Sequence, residues 1–253
     1  MTLKFLLSLF LLQNPDSVLT AIGIDQKLDA IVDPTTSFRD ETGEAVTLGN
    51  YLGNKPIILT PVYYECPMLC SMALNGLVKA LRVMPFTAGK EFQIVTFSID
   101  PKETPEQALE KKRHYVHDYG RAGADKGWHF LTGTPDSIRK ITGEIGFRYV
   151  YDQYTSQWAH TSGLTILTPD GRVSQYFYGI EYDPKALRYS LIAASNGKIG
   201  SLVDHVLMYC FQYDATTGKY SLAIMRVVRA AGVTTVLALV SFMVIGSRKK
   251  RFS

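Results

Sequence analysis

The chain has 253 residues, enough for one sizeable globular domain and additional segments. Its 46% hydrophobic content is ordinary for a folded protein and excludes a largely disordered chain. The formal net charge of +4 is matched by the four basic residues 248–251, so the rest of the chain is neutral overall and offers no basic surface for nucleic acid.

Both ends of the chain carry apolar segments that predict a route to a membrane. Residues 1–21 begin with one lysine and a short apolar run, which is typical of a signal peptide and too short to span a bilayer. Residues 227–247 are long and apolar enough for a transmembrane helix, and the basic tail 248–253 follows at once. We therefore expect a C-terminal anchor in a bacterial inner membrane, a cytoplasmic tail and a domain that faces the periplasm.

Between these segments, predicted strands and helices alternate. A turn at 40–43 and a helical turn at 48–53 precede an apolar strand at 56–62 and a helix at 72–81. Threonine and proline at 104–105 and again at 134–135 are typical helix starts. The further predicted elements are a strand at 91–100, a helix at 104–119, a strand at 128–132, a helix from 134, an extended piece at 147–151, a hairpin at 161–167 and 173–178, and a helix at 184–194. This order predicts one α/β domain over residues 24–196 with a mixed central sheet, and a linker at 197–226.

Two cysteines, Cys66 and Cys70, stand where the first strand of this domain runs into its helix. At positions i and i+4, both thiols are expected on one face of the first helical turns. The unpaired amide hydrogens of a helix start lower a thiol pKa, and a thioredoxin-like fold carries its active site at such a junction. The spacing is one residue longer than Cys-x-x-Cys, so the pair indicates metal binding, thiol–disulfide exchange or both. The third cysteine, Cys210, is distant, and three cysteines do not form a disulfide scaffold.

A metal would require a further ligand, and His160 is the histidine we select. It precedes the predicted hairpin, and in a thioredoxin-like sheet that loop lies next to the dithiol. Two thiolates and one imidazole suit copper, zinc accepts the same ligands, and the residues alone do not separate the two. Met68 and Met72 flank the cysteines, and we expect them to pack in the core rather than to act as soft ligands. The other histidines are weaker candidates: His114 and His117 on a charged helix face, His129 in a core or edge strand, and His205 after the domain.

Three motifs together resemble the Sco/SenC family. They are Tyr64-Glu65-Cys66-Pro67-Met68-Leu69-Cys70, then Val95-Thr96-Phe97-Ser98-Ile99-Asp100-Pro101 followed by Glu103-Thr104-Pro105, and then His160-Thr161-Ser162. The resemblance implies a thioredoxin-like fold tethered at the outer face of the inner membrane, with copper ligands that match Cys66, Cys70 and His160. It also implies assembly of cytochrome c oxidase. Members deliver copper to the binuclear site of subunit II or keep the cysteines of that site reduced.

This chain departs from the family pattern at three places. Its predicted anchor is C-terminal, whereas many members have an N-terminal one. The pair Met68-Leu69 stands where acidic-apolar pairs are common. Cys210 has no counterpart in the core pattern and resembles a segment of Sco-like proteins with a C-terminal anchor.

From these observations we expect a membrane-anchored copper chaperone rather than an enzyme. It would bind one copper per chain and deliver it to apo cytochrome c oxidase subunit II. The alternative is a thiol–disulfide oxidoreductase in which Cys66 and Cys70 form the redox pair, served by a periplasmic thiol reductant. Asp100 is expected to orient the site from behind the ligands or to face a partner, with a strand-end turn as its alternative role. A peroxidase-like relative and an interaction module are further alternatives.

Overall fold

The computed structural model describes residues 20–199 and three short segments, 213–214, 219–220 and 232–235. The chain divides into two compact units, Met1–Gly200 and Ser201–Ser253. Nearly all of the predicted signal peptide 1–21 and most of the linker 197–226 lie outside the described residues, as do the basic tail 248–253, His205 and Cys210.

The first unit contains ten strands and four α-helices among its described residues. The strands are β1 (Gly23–Ile24), β2 (Ser37–Arg39), β3 (Ala45–Thr47), β4 (Ile57–Val62), β5 (Gln93–Ser98), β6 (Trp128–Leu131), β7 (Phe147–Asp152), β8 (Gln157–His160), β9 (Gly163–Leu167) and β10 (Val173–Tyr178). The helices are α1 (Leu69–Val83), α2 (Pro105–Tyr119), α3 (Pro135–Glu144) and α4 (Pro184–Ser195). The predicted mixed α/β order is confirmed, and it is consistent with a thioredoxin-like fold.

The central sheet has five strands in the order β10–β9–β4–β5–β6. Strands β4, β5 and β6 are parallel, whereas β9 is antiparallel to both β4 and β10. Every residue of β4 is buried, which explains why its sequence is apolar on both faces, apart from Thr60, rather than alternating. Because β9 runs against β4, the beginning of β9 lies beside the end of β4. This topology brings residues near 160 to the edge of the sheet where the Cys66 segment begins.

Three of the four helices begin with the combination that the sequence predicts, a polar cap followed by proline. Thr104 forms a capping box at the start of α2. The side chains of Thr134 and Asp183 each accept a hydrogen bond from a backbone amide at the starts of α3 and α4. Helix α1 differs, since its cap residue Met68 makes no side-chain hydrogen bond. Helix α1 packs against α2 and α4, and α4 packs against β9 and β10.

Two smaller sheets complete the first unit. Strands β2 and β3 pair as a hairpin around the predicted turn at 40–43. Strands β1, β7 and β8 form an antiparallel sheet in which Tyr149 of β7 pairs with His160 of β8. The prediction of a loop before His160 is wrong: the stretch from Gln157 to His160 is a strand, because it pairs with the aromatic strand β7.

In the second unit, Tyr213–Asp214 and Lys219–Tyr220 pair as antiparallel strands, and residues 232–235 are helical. No helix within the described segments is both long and apolar enough to span a membrane. Apart from residues 232–235, the predicted span 227–247 lies outside those segments.

Candidate metal centre

Cys66 lies just before α1, in the turn that leaves β4. Both cysteines were expected on the helix, and the structure corrects this: α1 begins at Leu69, so only Cys70 belongs to its first turn. The Cys66 sulfur accepts the backbone N–H of Cys70 at 3.3 Å. The first N–H groups of a helix have no partner within the helix, and here the sulfur of Cys66 supplies one in place of a conventional cap.

Cys70 is the more enclosed of the two cysteines, with 4% of its surface exposed against 9% for Cys66. Its sulfur accepts the backbone N–H of Tyr63 at 3.4 Å and lies 3.2 Å from Nε2 of His160. The strand end, the helix start and the β8 histidine therefore meet at one sulfur atom.

A hydrogen bond on the side away from Cys70 fixes the orientation of the His160 ring. Its Nδ1 lies 2.7 Å from the carbonyl oxygen of Thr161, which can only accept, so Nδ1 carries the proton of the neutral ring. The lone pair is then on Nε2, the nitrogen that faces Cys70. The ring of Tyr63 stands edge-on to the imidazole at a centroid distance of 5.7 Å, and Phe147 packs at 6.1 Å. This is the arrangement of a metal-binding histidine, in which the nitrogen away from the metal is held by a hydrogen bond.

The two thiols differ strongly in acidity. A hydrogen bond from the Cys70 side chain, together with the backbone amides of Cys70 and Met68, lowers the pKa of Cys66 to about 3 despite its partial burial. Burial first, and then the neighbouring Cys66, raises the pKa of Cys70 far above its ordinary value. Burial and a hydrogen bond with Cys66 also raise the pKa of Tyr63, so its phenol stays protonated. The cluster is thus prepared as one thiolate beside one thiol.

The three side chains fit a soft metal ion. The sulfur atoms of Cys66 and Cys70 and a ring nitrogen of His160 all lie within 4.8 Å of one another. Two ligands bound at roughly 2.0–2.3 Å from an ion are at most about 4.6 Å apart, so the ligand atoms are already near binding distance. This is the one such group among the described residues. The structure therefore brings together the three residues that the sequence selects as ligands.

Glu103 is a functional candidate to which the sequence analysis assigns no role, although it belongs to one of the motifs that resemble the family. It lies between β5 and α2, is 8% exposed and accepts the backbone N–H groups of Tyr64 and Glu65, both at 2.7 Å. Burial raises the pKa of Glu103, although the hydrogen bonds it accepts act in the opposite direction. An acidic residue one position before a helix cap is common on protein surfaces, so nothing in the sequence indicates that this one is buried.

Asp100 lies at the end of β5, and the contact it makes is local. Its carboxylate accepts the backbone N–H of Lys102 at 2.9 Å, and its own amide donates to the Ser98 hydroxyl at 3.0 Å. These bonds describe the strand-end turn. A role of Asp100 in orienting the ligands or facing a partner stays a prediction.

The expectation that Met68 and Met72 pack in the core is wrong. Met68 is 66% exposed and Met72 is 40% exposed, because both fall on the outer side of the α1 start while Ala73 and Leu74 are buried.

The other described histidines are not members of the cluster. His114 and His117 are exposed and pair with Asp118, as their charged surroundings predict. His129 belongs to the edge strand β6 and packs on the ring of Tyr51 at 4.5 Å.

Comparison with known proteins places the first unit in a recognised family. A profile described as SCO1/SenC matches residues 25–193. The chain resembles a putative electron transfer protein from Aquifex aeolicus, with 29% identity and a TM-score of 0.60 over 68% of this chain and 96% of that one. It also resembles copper-bound ScoI of Bradyrhizobium japonicum, with 26% identity and a TM-score of 0.50 over 65% and 99% of the two chains. Copper-bound ScoI of Arabidopsis thaliana shares the fold at 24% identity, with a TM-score of 0.53 over 66% and 99%. A search of curated proteins returned no match.

Proposed function

The chain belongs to the SCO1/SenC family, and we propose that it is a copper chaperone that binds one copper ion through Cys66, Cys70 and His160. The observation that carries this proposal is the 3.2 Å approach of His160 Nε2 to the Cys70 sulfur, with Nδ1 occupied by a carbonyl. Thiolate sulfur favours Cu(I), and imidazole accepts copper in either oxidation state. The copper-bound relative from Bradyrhizobium japonicum supports copper over zinc.

The proposed delivery is ligand exchange with the apo form of cytochrome c oxidase subunit II. The three ligand residues are each less than a tenth exposed, which protects a bound ion from small competing ligands in solution. A partner protein would have to offer its own soft ligands at the mouth of the cluster. Loading requires both cysteines to be reduced, so copper binding and a Cys66–Cys70 disulfide exclude each other.

The second candidate function is thiol–disulfide exchange. It is favoured by the contrast between a Cys66 pKa of about 3 and a strongly raised Cys70 pKa. An exposed partner disulfide would be attacked by the Cys66 thiolate, and Cys70 would then resolve the mixed disulfide after losing its proton. The exchange releases the partner's two thiols and leaves a Cys66–Cys70 disulfide, which a periplasmic thiol reductant would reduce again. In this way the activity would keep the cysteines of the oxidase subunit, or of another periplasmic protein, reduced.

Copper titration of the reduced protein tests the primary proposal. We expect one copper per chain, loss of tight binding in Cys66→Ser and Cys70→Ser, and much weaker binding in His160→Ala. His117→Ala is the matched control, because His117 is exposed and is not a member of the cluster. Undiminished copper affinity in His160→Ala would contradict the three-ligand site. Disulfide exchange that needs both cysteines but is unchanged in His160→Ala would favour the second function.

The location is also a proposal: a C-terminal anchor holds the domain at the periplasmic side of a bacterial inner membrane. It is supported by the apolar segment 227–247 and the basic residues after it. Truncation before Val227 should release the domain from the membrane fraction, whereas the full chain should need detergent. A truncated chain that stays with the membrane would contradict the anchor.

A further inference from the structure

The loop between β5 and α2 contacts both segments of the chain that carry the cluster. On one side, Glu103 accepts the backbone N–H groups of Tyr64 and Glu65, the two residues immediately before Cys66. On the other side, the ammonium group of Lys102 lies 6.0 Å from the ring centre of Tyr151. Tyr151 belongs to β7, which pairs with β8, and His160 is the last residue of β8.

The Glu103 carboxylate is held firmly in its place. The hydroxyl of Ser98, a fully buried residue at the end of β5, donates to the same carboxylate oxygen that accepts from Tyr64. The amide of Asp100 donates in turn to the Ser98 hydroxyl. The carboxylate thus connects the central sheet to the backbone of the Cys66 turn. Burying a charged group is costly without such hydrogen bonds, and here three donors converge on it.

We propose that Glu103 is the positioning residue of the metal centre, setting the place of Cys66 relative to Cys70 and His160 by binding the two preceding amides. The site requires a carboxylate for a simple reason of valence. Two N–H groups point at two oxygens, and an amide of the same size offers only one oxygen and would turn an N–H group against the other donor. Removing a group that supports the ligands of a metal ion through hydrogen bonds typically weakens the affinity for the metal 10- to 100-fold.

This inference rests on the proposed copper binding, but its backbone part can be measured without metal. The test compares Glu103→Gln and Glu103→Asp with Glu106→Gln in the full chain. Glu106 is an exposed acidic residue in the first turn of α2 and serves as the matched control. The measurements are amide hydrogen exchange in the reduced apoprotein, the copper dissociation constant, and the thiolate-to-copper absorption spectrum of the loaded protein.

In Glu103→Gln we expect faster exchange confined to the amides of Tyr64 and Glu65, and copper binding weaker by about 10- to 100-fold. We also expect a shifted absorption band, which a uniform loss of stability would not produce. Glu103→Asp keeps both oxygens at shorter reach and should fall between the wild type and Glu103→Gln. If the glutamine variant does not fold, the aspartate variant carries the same test at smaller amplitude.

Wild-type exchange and copper affinity in both Glu103 variants would overturn the proposal, and so would faster exchange spread evenly over the central sheet. Failure of the wild-type protein to bind copper would overturn the proposed function instead. In that case the exchange of Tyr64 and Glu65 would still decide whether Glu103 holds the Cys66 turn.

Discussion

In the reduced protein without metal, Cys66 is expected to be a thiolate across the whole pH range from 5 to 8. Its pKa is lowered to about 3, first by the hydrogen bond from the Cys70 side chain. Cys70 itself stays protonated because burial and the adjacent Cys66 raise its pKa. Removing the Cys70 donor should therefore move the ionisation of Cys66 to higher pH.

Two opposing effects of a low pKa, on the fraction of thiolate and on its reactivity, decide which measurement is informative. An ordinary thiol with a pKa near 8.5 is only about 0.3% thiolate at pH 6, whereas Cys66 is almost fully ionised. However, the nucleophilicity of a thiolate falls with its pKa at a Brønsted slope of about 0.4–0.5. A thiolate with a pKa of about 3 is therefore about 300-fold less reactive than one with a pKa near 8.5. The two effects nearly cancel at pH 6. The absolute rate is thus uninformative, and the dependence of the rate on pH is what separates the two cases.

The assay is alkylation of the reduced apoprotein by a small reagent between pH 5 and 8, with Cys66 quantified by peptide mass spectrometry and glutathione as the reference thiol. The Cys66 rate should be flat, while the glutathione rate should rise about tenfold per pH unit. Cys70→Ser keeps a hydroxyl donor and should remain flat. Cys70→Ala removes the donor and should restore a rise with pH. A wild-type Cys66 rate that climbs tenfold per unit would refute the thiolate, and identical profiles for the two variants would refute its assigned cause.

Two further predictions concern the scaffold, and denaturant unfolding measures both. A Cβ at Gly76 in α1 would lie 1.8 Å from the carbonyl oxygen of Ile180, so Gly76→Ala should destabilise by about 2 kcal/mol although alanine favours helices by about 1 kcal/mol. Gly143→Ala in α3 meets no neighbour and should instead stabilise by about 0.5–1 kcal/mol; equal effects at the two positions would contradict the close packing of α1. Lys112→Met should lower the free energy of unfolding by about 3 kcal/mol, because it leaves the buried Glu41 carboxylate without its cation. Adding Glu41→Gln should recover part of that loss, and an unchanged unfolding midpoint in Lys112→Met would show that the pair is not required.

The elements that the sequence predicts well are those with a local signal. The Thr-Pro helix starts and the apolar strand at β4 follow from residues a few positions apart. The proximity of Cys66, Cys70 and His160 is also predicted, because two cysteines at a strand–helix junction form a local pattern and His160 stands just before the predicted hairpin.

Other features depend on partners that are distant in the sequence. Strand β8 exists because it pairs with β7, and Met68 is exposed because it lies on the outer side of the start of α1. Burial of Glu103 depends on amides 38 and 39 positions away. Composition and periodicity carry no information about such contacts.

The separation between Cys70 and His160, 90 positions along the chain, has a consequence for the order of events after synthesis. Long-range contacts form only after the entropy of closing large loops has been overcome, so they appear late in folding. An unfolded chain offers a metal ion two neighbouring thiols but no positioned imidazole. The third ligand arrives when β9 docks against β4, which also brings β8 to the cluster. Full affinity for a soft metal ion is therefore acquired only on completion of the central sheet, and a newly synthesised chain would fold first and load afterwards.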